Sequence, residues 1–210
     1  MSKLKGFNTH HKSTHHKSTH QKNTQHKALF LDRDGVINVN YGYVSDVACF
    51  DWVDGIFELV EKAQKLDYKI IVVTNQSGIG RGYYDEAQFQ QLTQWMNQEF
   101  TKHGVNIAAV KFCPHHPEKA LPEYLRSCNC RKPQPGMILE AIRELNIDPA
   151  QSIFVGDKES DMKAARSANV QFKYLVESGQ TFSDQQAKAA DAVFNNLTEL
   201  KQSWFAQTKA

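Results

Sequence analysis

Long apolar runs are missing from this 210-residue sequence. No stretch approaches the roughly 18 residues that a membrane-spanning helix needs, and the N-terminus lacks the apolar core of a secretory signal. Cysteine is scarce, at four residues, and three of them crowd between positions 113 and 130. The expected setting is the reducing cytosol, where close Cys/His spacing points to metal before disulfide. Acid is absent from residues 1–27, which hold six lysines and six of the nine histidines. Without those six lysines, 19 basic residues face 23 acidic ones, so residues 28–210 carry a net charge near −4. That balance argues against nucleic acid as the main partner, because phosphate backbones need a basic surface. No surplus apolar helix face stands out either, so a monomer is expected.

Residues 9–27, THHKSTHHKSTHQKNTQHK, form an imperfect five-residue repeat. With almost no apolar side chains, residues 1–27 cannot offset the entropy of ordering, and a disordered tail is expected. Its histidines suit weak binding of divalent metal or anions, but a dispensable extension is the favoured reading, since His-rich tracts bind metal adventitiously. Residues 28–210 are expected to form one domain.

From Ala28 the pattern changes. ALFLD (28–32), KIIVVT (69–74), IAAVKF (107–112) and SIFVGD (152–157) are short apolar runs without alternation, as in parallel strands buried on both faces. Helical patterns lie between them. Residues 54–67 put Ile56, Phe57, Leu59, Val60, Ala63 and Leu66 on one stripe. Residues 85–104 open with Asp85 and Gln88 at capping-box spacing and close at Gly104. Residues 135–146 start with a proline, as first turns often do. The expectation is an α/β domain: a Rossmann-like, mostly parallel sheet with helices on both faces. Ligands of such sheets bind beyond the carboxyl ends of the strands, which is where Asp32, Thr74 and Asp157 fall.

Four motifs carry chemistry. FLDRDGVIN (30–38) sets Asp32 and Asp34 two residues apart before a glycine that permits a sharp turn. One carboxylate can attack phosphorus and hold Mg²⁺, while the other supplies or accepts a proton at the bridging oxygen. In TNQSGIGRG (74–82), Thr74 and Asn75 offer side-chain donors, and the glycines leave backbone N–H groups to face an anion. CRKPQPG (130–136) sets Arg131 and Lys132 before a helix. The lysine can neutralise a phosphoryl group, and the arginine can grip a second anion. GDKESD (156–161) gives Asp157 at a strand end, with Asp161 on the same face of the next helical turn. Mg²⁺ keeps several waters, so Asp32, Asp157 and a backbone carbonyl suffice as protein ligands. A fifth feature is the CxH…CxC array of Cys113, His115, Cys128 and Cys130, the closed tetrahedral set expected of structural zinc. His116 competes with His115 as the fourth ligand.

Together, in this order, the four motifs resemble those of the haloacid-dehalogenase-like phosphohydrolases over roughly residues 28–176. The resemblance implies Asp32 as nucleophile, Asp34 as general acid/base, and Thr74 and Lys132 as stabilisers of the phosphoryl group. It also implies Mg²⁺ held by Asp32, Asp157 and the Asp34 carbonyl, with Lys158 contributing through its backbone or from behind the ligands. Within that superfamily, the zinc loop (113–130) with TNQSGIGRG, RKPQPGM and VGDKESDM is similar to the heptose bisphosphate phosphatase family. A small phosphorylated sugar is then the expected substrate. Its carbon-seven phosphate would be removed during heptose-nucleotide synthesis for bacterial surface polysaccharide. Histidinol-phosphate phosphatases share the nucleophile motif and a zinc loop, but theirs is typically shorter than the 12 residues between His115 and Cys128.

Only about 40 residues separate the first two motifs, too few for a large cap domain. Substrate recognition is therefore expected from Asn40, Tyr41, Gly42 and Tyr43, from Asn75, Gln76, Ser77 and Arg81, and from Arg131.

Overall fold

A computed structural model describes residues 25–177 and 182–207. The expected disordered tail lies almost wholly outside the described residues. In chain order the elements are β1 (Lys27–Leu31), α1 (Ile56–Lys65), β2 (Tyr68–Asn75), the short α2 (Ser77–Gly80), α3 (Glu86–Lys102) and β3 (Ile107–Cys113). There follow α4 (Gly136–Leu145), β4 (Ile153–Gly156), α5 (Glu159–Ser167), β5 (Phe172–Val176), the short α6 (Asp184–Ala187), β6 (Ala192–Phe194) and α7 (Leu197–Gln207). The four expected strands and three expected helices are present, with ends moved by one or two residues. Asp85 caps α3 through the capping box with Gln88. α4 begins one residue after Pro135.

The six strands pair in parallel in the order β3-β2-β1-β4-β5-β6. β1 and β4 are buried along nearly their whole length, and most of β2 is too, which is why their sequences read as unbroken apolar runs. One core joins their Leu29, Leu31, Ile70 and Val72 to α1, α3 and α7. The other joins Phe30, Ile71 and Phe154 to α4 and α5. On α1, Ile56, Leu59, Val60 and Ala63 are buried, whereas Phe57 and Leu66 lie at the edge of the stripe, half-exposed.

β5 and β6 extend the sheet past the four expected strands. β5 carries Lys173, whose Nζ pairs with Asp191 at 2.9 Å, so a charge interrupts the apolar run. β6 is three residues long, too short to show a period. The topological switch lies between β1 and β4, whose crossovers run to opposite sides of the sheet.

Candidate active site

Asp32 follows β1, Asp157 follows β4, and Thr74 is the penultimate residue of β2. Because β1 lies between β2 and β4, all three meet at one edge of the sheet. Lys132, from the segment before α4, completes the cluster. Its Nζ lies 2.8 Å from Asp32 Oδ1 and 2.7 Å from Asp161 Oδ1, and donates to Val73 O at 2.8 Å. Asp32, Lys132, Asp157 and Asp161 are all buried.

Their charges are strongly coupled. Burial raises the Asp32 carboxyl, yet the positive charges of Lys132 and Lys158 outweigh it and hold the group below the ordinary carboxylate range. Asp157 goes the other way. Burial and the Asp32 charge raise it to about 7, against a modest pull from Lys158, whose Nζ is 3.1 Å away. Gly35 is required here: it has φ +100°, and a Cβ on it would overlap the Asp157 carboxylate.

Asp34 sits at the mouth of the site with its side chain 17% exposed, so a ligand can reach it. Its carboxylate accepts from Arg33 Nη2 (2.7 and 2.9 Å), Asn38 Nδ2 (3.1 Å) and Gln76 Nε2 (3.0 Å). Sequence reasoning gave Arg33 no role. It is 1% exposed, and the same Nη2 also donates to Val44 O at 2.7 Å, just past the loop 40–43. A basic residue flanked by two acids reads as a surface charge, and nothing in the sequence signals its burial.

Two residues expected to bind substrate line the cavity over Asp34 and also hold the scaffold with their side chains. Asn75 brackets the main chain of Lys132, its Oδ1 accepting from Lys132 N at 3.0 Å and its Nδ2 donating to Lys132 O at 3.1 Å. Gln76 is 1% exposed and binds Asp34, Thr74 and Tyr84. Both amides bind internal partners from the wall of that cavity.

A cavity of about 320 Å³ opens over Asp34 and is walled by Asn40, Gly42, Tyr43, Ser77 and Lys158, among others. A larger hollow of about 410 Å³ lies at α1 and α7, and none of the four motifs reaches it. Tyr41, Arg81 and Arg131 do not line the 320 Å³ cavity. Tyr41 is exposed and donates to Asp51 at 2.8 Å. The Arg81 guanidinium lies 5.6 Å from the centre of the Tyr43 ring, which Tyr83 meets edge-on at 4.7 Å. Arg131 Nη1 donates to His115 O at 3.1 Å, tying the guanidinium to the cysteine-rich loop.

In that loop the ligand atoms of Cys113, His115, Cys128 and Cys130 all lie within 4.8 Å of one another. His115 Nδ1 is 3.5 Å from Cys113 Sγ and 3.3 Å from Cys130 Sγ. His116 Nδ1 instead accepts from the backbone N–H groups of Glu118 and Lys119 at 3.1 and 3.0 Å. Of the two histidines, His115 therefore faces the thiols. Cys49 is exposed and outside the cluster, not packed.

Residues 129–200 match the family described as HAD-hydrolase-like. A D-glycero-beta-D-manno-heptose-1,7-bisphosphate 7-phosphatase from Photorhabdus laumondii is 46% identical over 173 residues, 82% of this chain and 92% of the relative. The protein of the same name from Escherichia coli K12 is 45% identical over 182 residues, 87% of this chain and 95% of the relative. The chain belongs to this family of haloacid-dehalogenase-like phosphatases. It is accordingly a hydrolase of phosphoric monoesters. Among solved structures it resembles D,D-heptose 1,7-bisphosphate phosphatase from B. bronchiseptica, complexed with magnesium and phosphate. That likeness has TM-score 0.71 and 26% identity and covers 86% of this chain and 99% of the other. The enzyme of the same name from Burkholderia thailandensis gives TM-score 0.59 at 25% identity, covering 86% and 99%.

The phosphatase site fits a hard divalent cation. Asp32, Asp157 and Asp161 form a buried, all-oxygen donor set. Asp161 is already engaged, however, with Oδ1 on Lys132 and Oδ2 accepting from Lys158 N at 3.0 Å. Asp32 and Asp157 are the pair left to face a cation, each with a lysine ammonium beside it. The thiol cluster fits zinc: four soft donors from two short segments, with no open position among them.

Proposed function

We propose that this chain hydrolyses the phosphate on carbon seven of D-glycero-β-D-manno-heptose 1,7-bisphosphate through an aspartyl-phosphate on Asp32. The pathway would be heptose-nucleotide synthesis for bacterial surface polysaccharide, with the chain a cytoplasmic monomer that needs neither nucleic acid nor membrane. The observation that carries this reading is the buried Asp32–Lys132 pair at the switch point, with Asp34 at the cavity mouth beside it. The names of the relatives supply the sugar and the anomer.

Asp32, kept ionised by Lys132 and Lys158, attacks phosphorus. Asp34 gives its proton to the carbon-seven oxygen as the P–O bond breaks. It then takes a proton from water, which attacks the aspartyl-phosphate, releases inorganic phosphate and restores Asp32. Thr74 and Lys132 stabilise the phosphoryl oxygens. Asp32, Asp157 and the Asp34 carbonyl would hold Mg²⁺, with Lys158 beside them; when bound, the ion neutralises phosphoryl charge. Zinc on Cys113, His115, Cys128 and Cys130 would staple the loop that anchors Arg131.

Arg131 adjoins Lys132 in sequence, so a substrate whose seven-phosphate meets Lys132 can present its carbon-one phosphate to Arg131. Losing such a charged contact costs about 2–4 kcal/mol, or roughly thirty- to several-hundred-fold in kcat/KM. Arg131→Ala should lose that much on the bisphosphate and little on a simple aryl phosphate. Equal losses on both would remove Arg131 from recognition.

A further inference from the structure

Asp34 and Thr74 stand at the ends of different strands, and one side chain touches both. Gln76 Nε2 lies 3.0 Å from Asp34 Oδ2 and 2.8 Å from Thr74 Oγ1. At the other end of the amide, Gln76 Oε1 accepts from the Tyr84 hydroxyl at 2.5 Å. We propose that Tyr84 is a positioning residue for phosphoryl transfer: by donating to Gln76 Oε1 it anchors the amide, which in turn orients Asp34 and Thr74. The relay rests on the roles given above to Asp34 as acid/base and Thr74 as a phosphoryl contact.

An amide has a donor end and an acceptor end of nearly the same shape, so its partners decide which way it faces. Turned over, Gln76 would aim a carbonyl oxygen at a carboxylate, and both of its useful donations would be lost. The Asp34 carboxylate, an acceptor only, calls for the donor end, and the Tyr84 hydroxyl holds the opposite end by donating to Oε1. Burial, with the Asp34 charge adding to it against Arg33, pushes the Tyr84 phenol up to about 12, so it remains a donor at neutral pH. The ring is fixed independently of the hydroxyl. It packs with Ile79 and Phe89 and lies so close over Gly78 that a Cβ there would overlap it.

The relay has a consequence for Thr74. Its Oγ1 receives a hydrogen from Gln76, so its own hydrogen is left to point elsewhere, toward a phosphoryl oxygen above the strand end. Gln76 thus delivers two aligned groups from one amide, and Tyr84 sets both.

The test is a double-mutant cycle of Tyr84→Phe and Gln76→Ala, read as kcat and KM on the heptose bisphosphate and on an activated aryl phosphate. Tyr84→Phe should lower kcat on the bisphosphate about tenfold with KM changed less than about twofold. The aryl phosphate, whose leaving group needs no proton, should lose only about threefold. In the Gln76→Ala background, Tyr84→Phe should add less than about a twofold loss, since the group it acts through is gone. Losses that multiply, or equal losses on the two substrates, would overturn the relay. If Tyr84→Phe fails to fold, Gln76→Glu takes its place: it keeps an oxygen for Tyr84 but turns another on Asp34. The same substrate-selective loss would support the relay, and wild-type turnover would end it. Failure of the wild type on the bisphosphate, with coupling intact on the aryl phosphate, would strike the substrate assignment and leave the relay standing.

Discussion

Asp32 and Lys132 come from opposite halves of the chain, and their 2.8 Å contact is the centre of the buried cluster. The lysine keeps the carboxylate ionised inside a buried site, so the atom proposed to attack is available without prior loss of a proton. Asp32→Asn removes the negative oxygen while conserving shape. Turnover should fall below about one per cent of wild type with the far-ultraviolet spectrum unchanged, and residual activity above that, free of deamidation, would refute the assignment. That Asp32, Asp34, Thr74, Lys132 and Asp157 come together was legible in the sequence, because each falls near a strand end or just before a helix. The amides were not. Asn75 and Gln76 are polar residues in a site loop, and only packing shows that they spend their bonds on Lys132, Asp34, Thr74 and Tyr84. Arg33 and Tyr84 escaped for the same reason, since a buried partner leaves no mark on the local pattern.

Among the elements, the strands of the sheet centre were readable because burial on both faces leaves an unbroken apolar signature. β5 and β6 were not, one carrying a charged pair and the other being too short. The cysteine-rich loop is the element with least core of its own. Its half-exposed stretch between His115 and Cys128 is joined to the body by a few bonds, among them Leu121 N to Gly80 O at 2.6 Å and Arg131 to His115 O. A metal on the four ligands would supply the missing order. Cys128→Ser should therefore cost on the order of 3 kcal/mol, or about 6–12 °C in Tm for a chain of this size, with kcat on an aryl phosphate lowered less than about threefold. A variant with unchanged Tm, or with no zinc in the wild type by metal analysis, would remove the staple.

At the scale of the whole molecule, the sheet order dictates where the site lies. The crossovers diverge between β1 and β4, and the crevice that results receives residues from four separate segments. The connection between β1 and α1 is a loop and not a domain, and the cavity over Asp34 is correspondingly small and open to a soluble metabolite. The central claim of the proposed function is that this chain takes the carbon-seven phosphate, and not the carbon-one phosphate, from a heptose bisphosphate. Phosphorus NMR of the wild-type chain with Mg²⁺ and β-heptose 1,7-bisphosphate reads this directly. The account predicts that the carbon-seven resonance gives way to inorganic phosphate while the carbon-one resonance stays, and that histidinol phosphate in the same tube is cleaved about a hundredfold more slowly. Loss of the carbon-one resonance, or faster cleavage of histidinol phosphate, would contradict it.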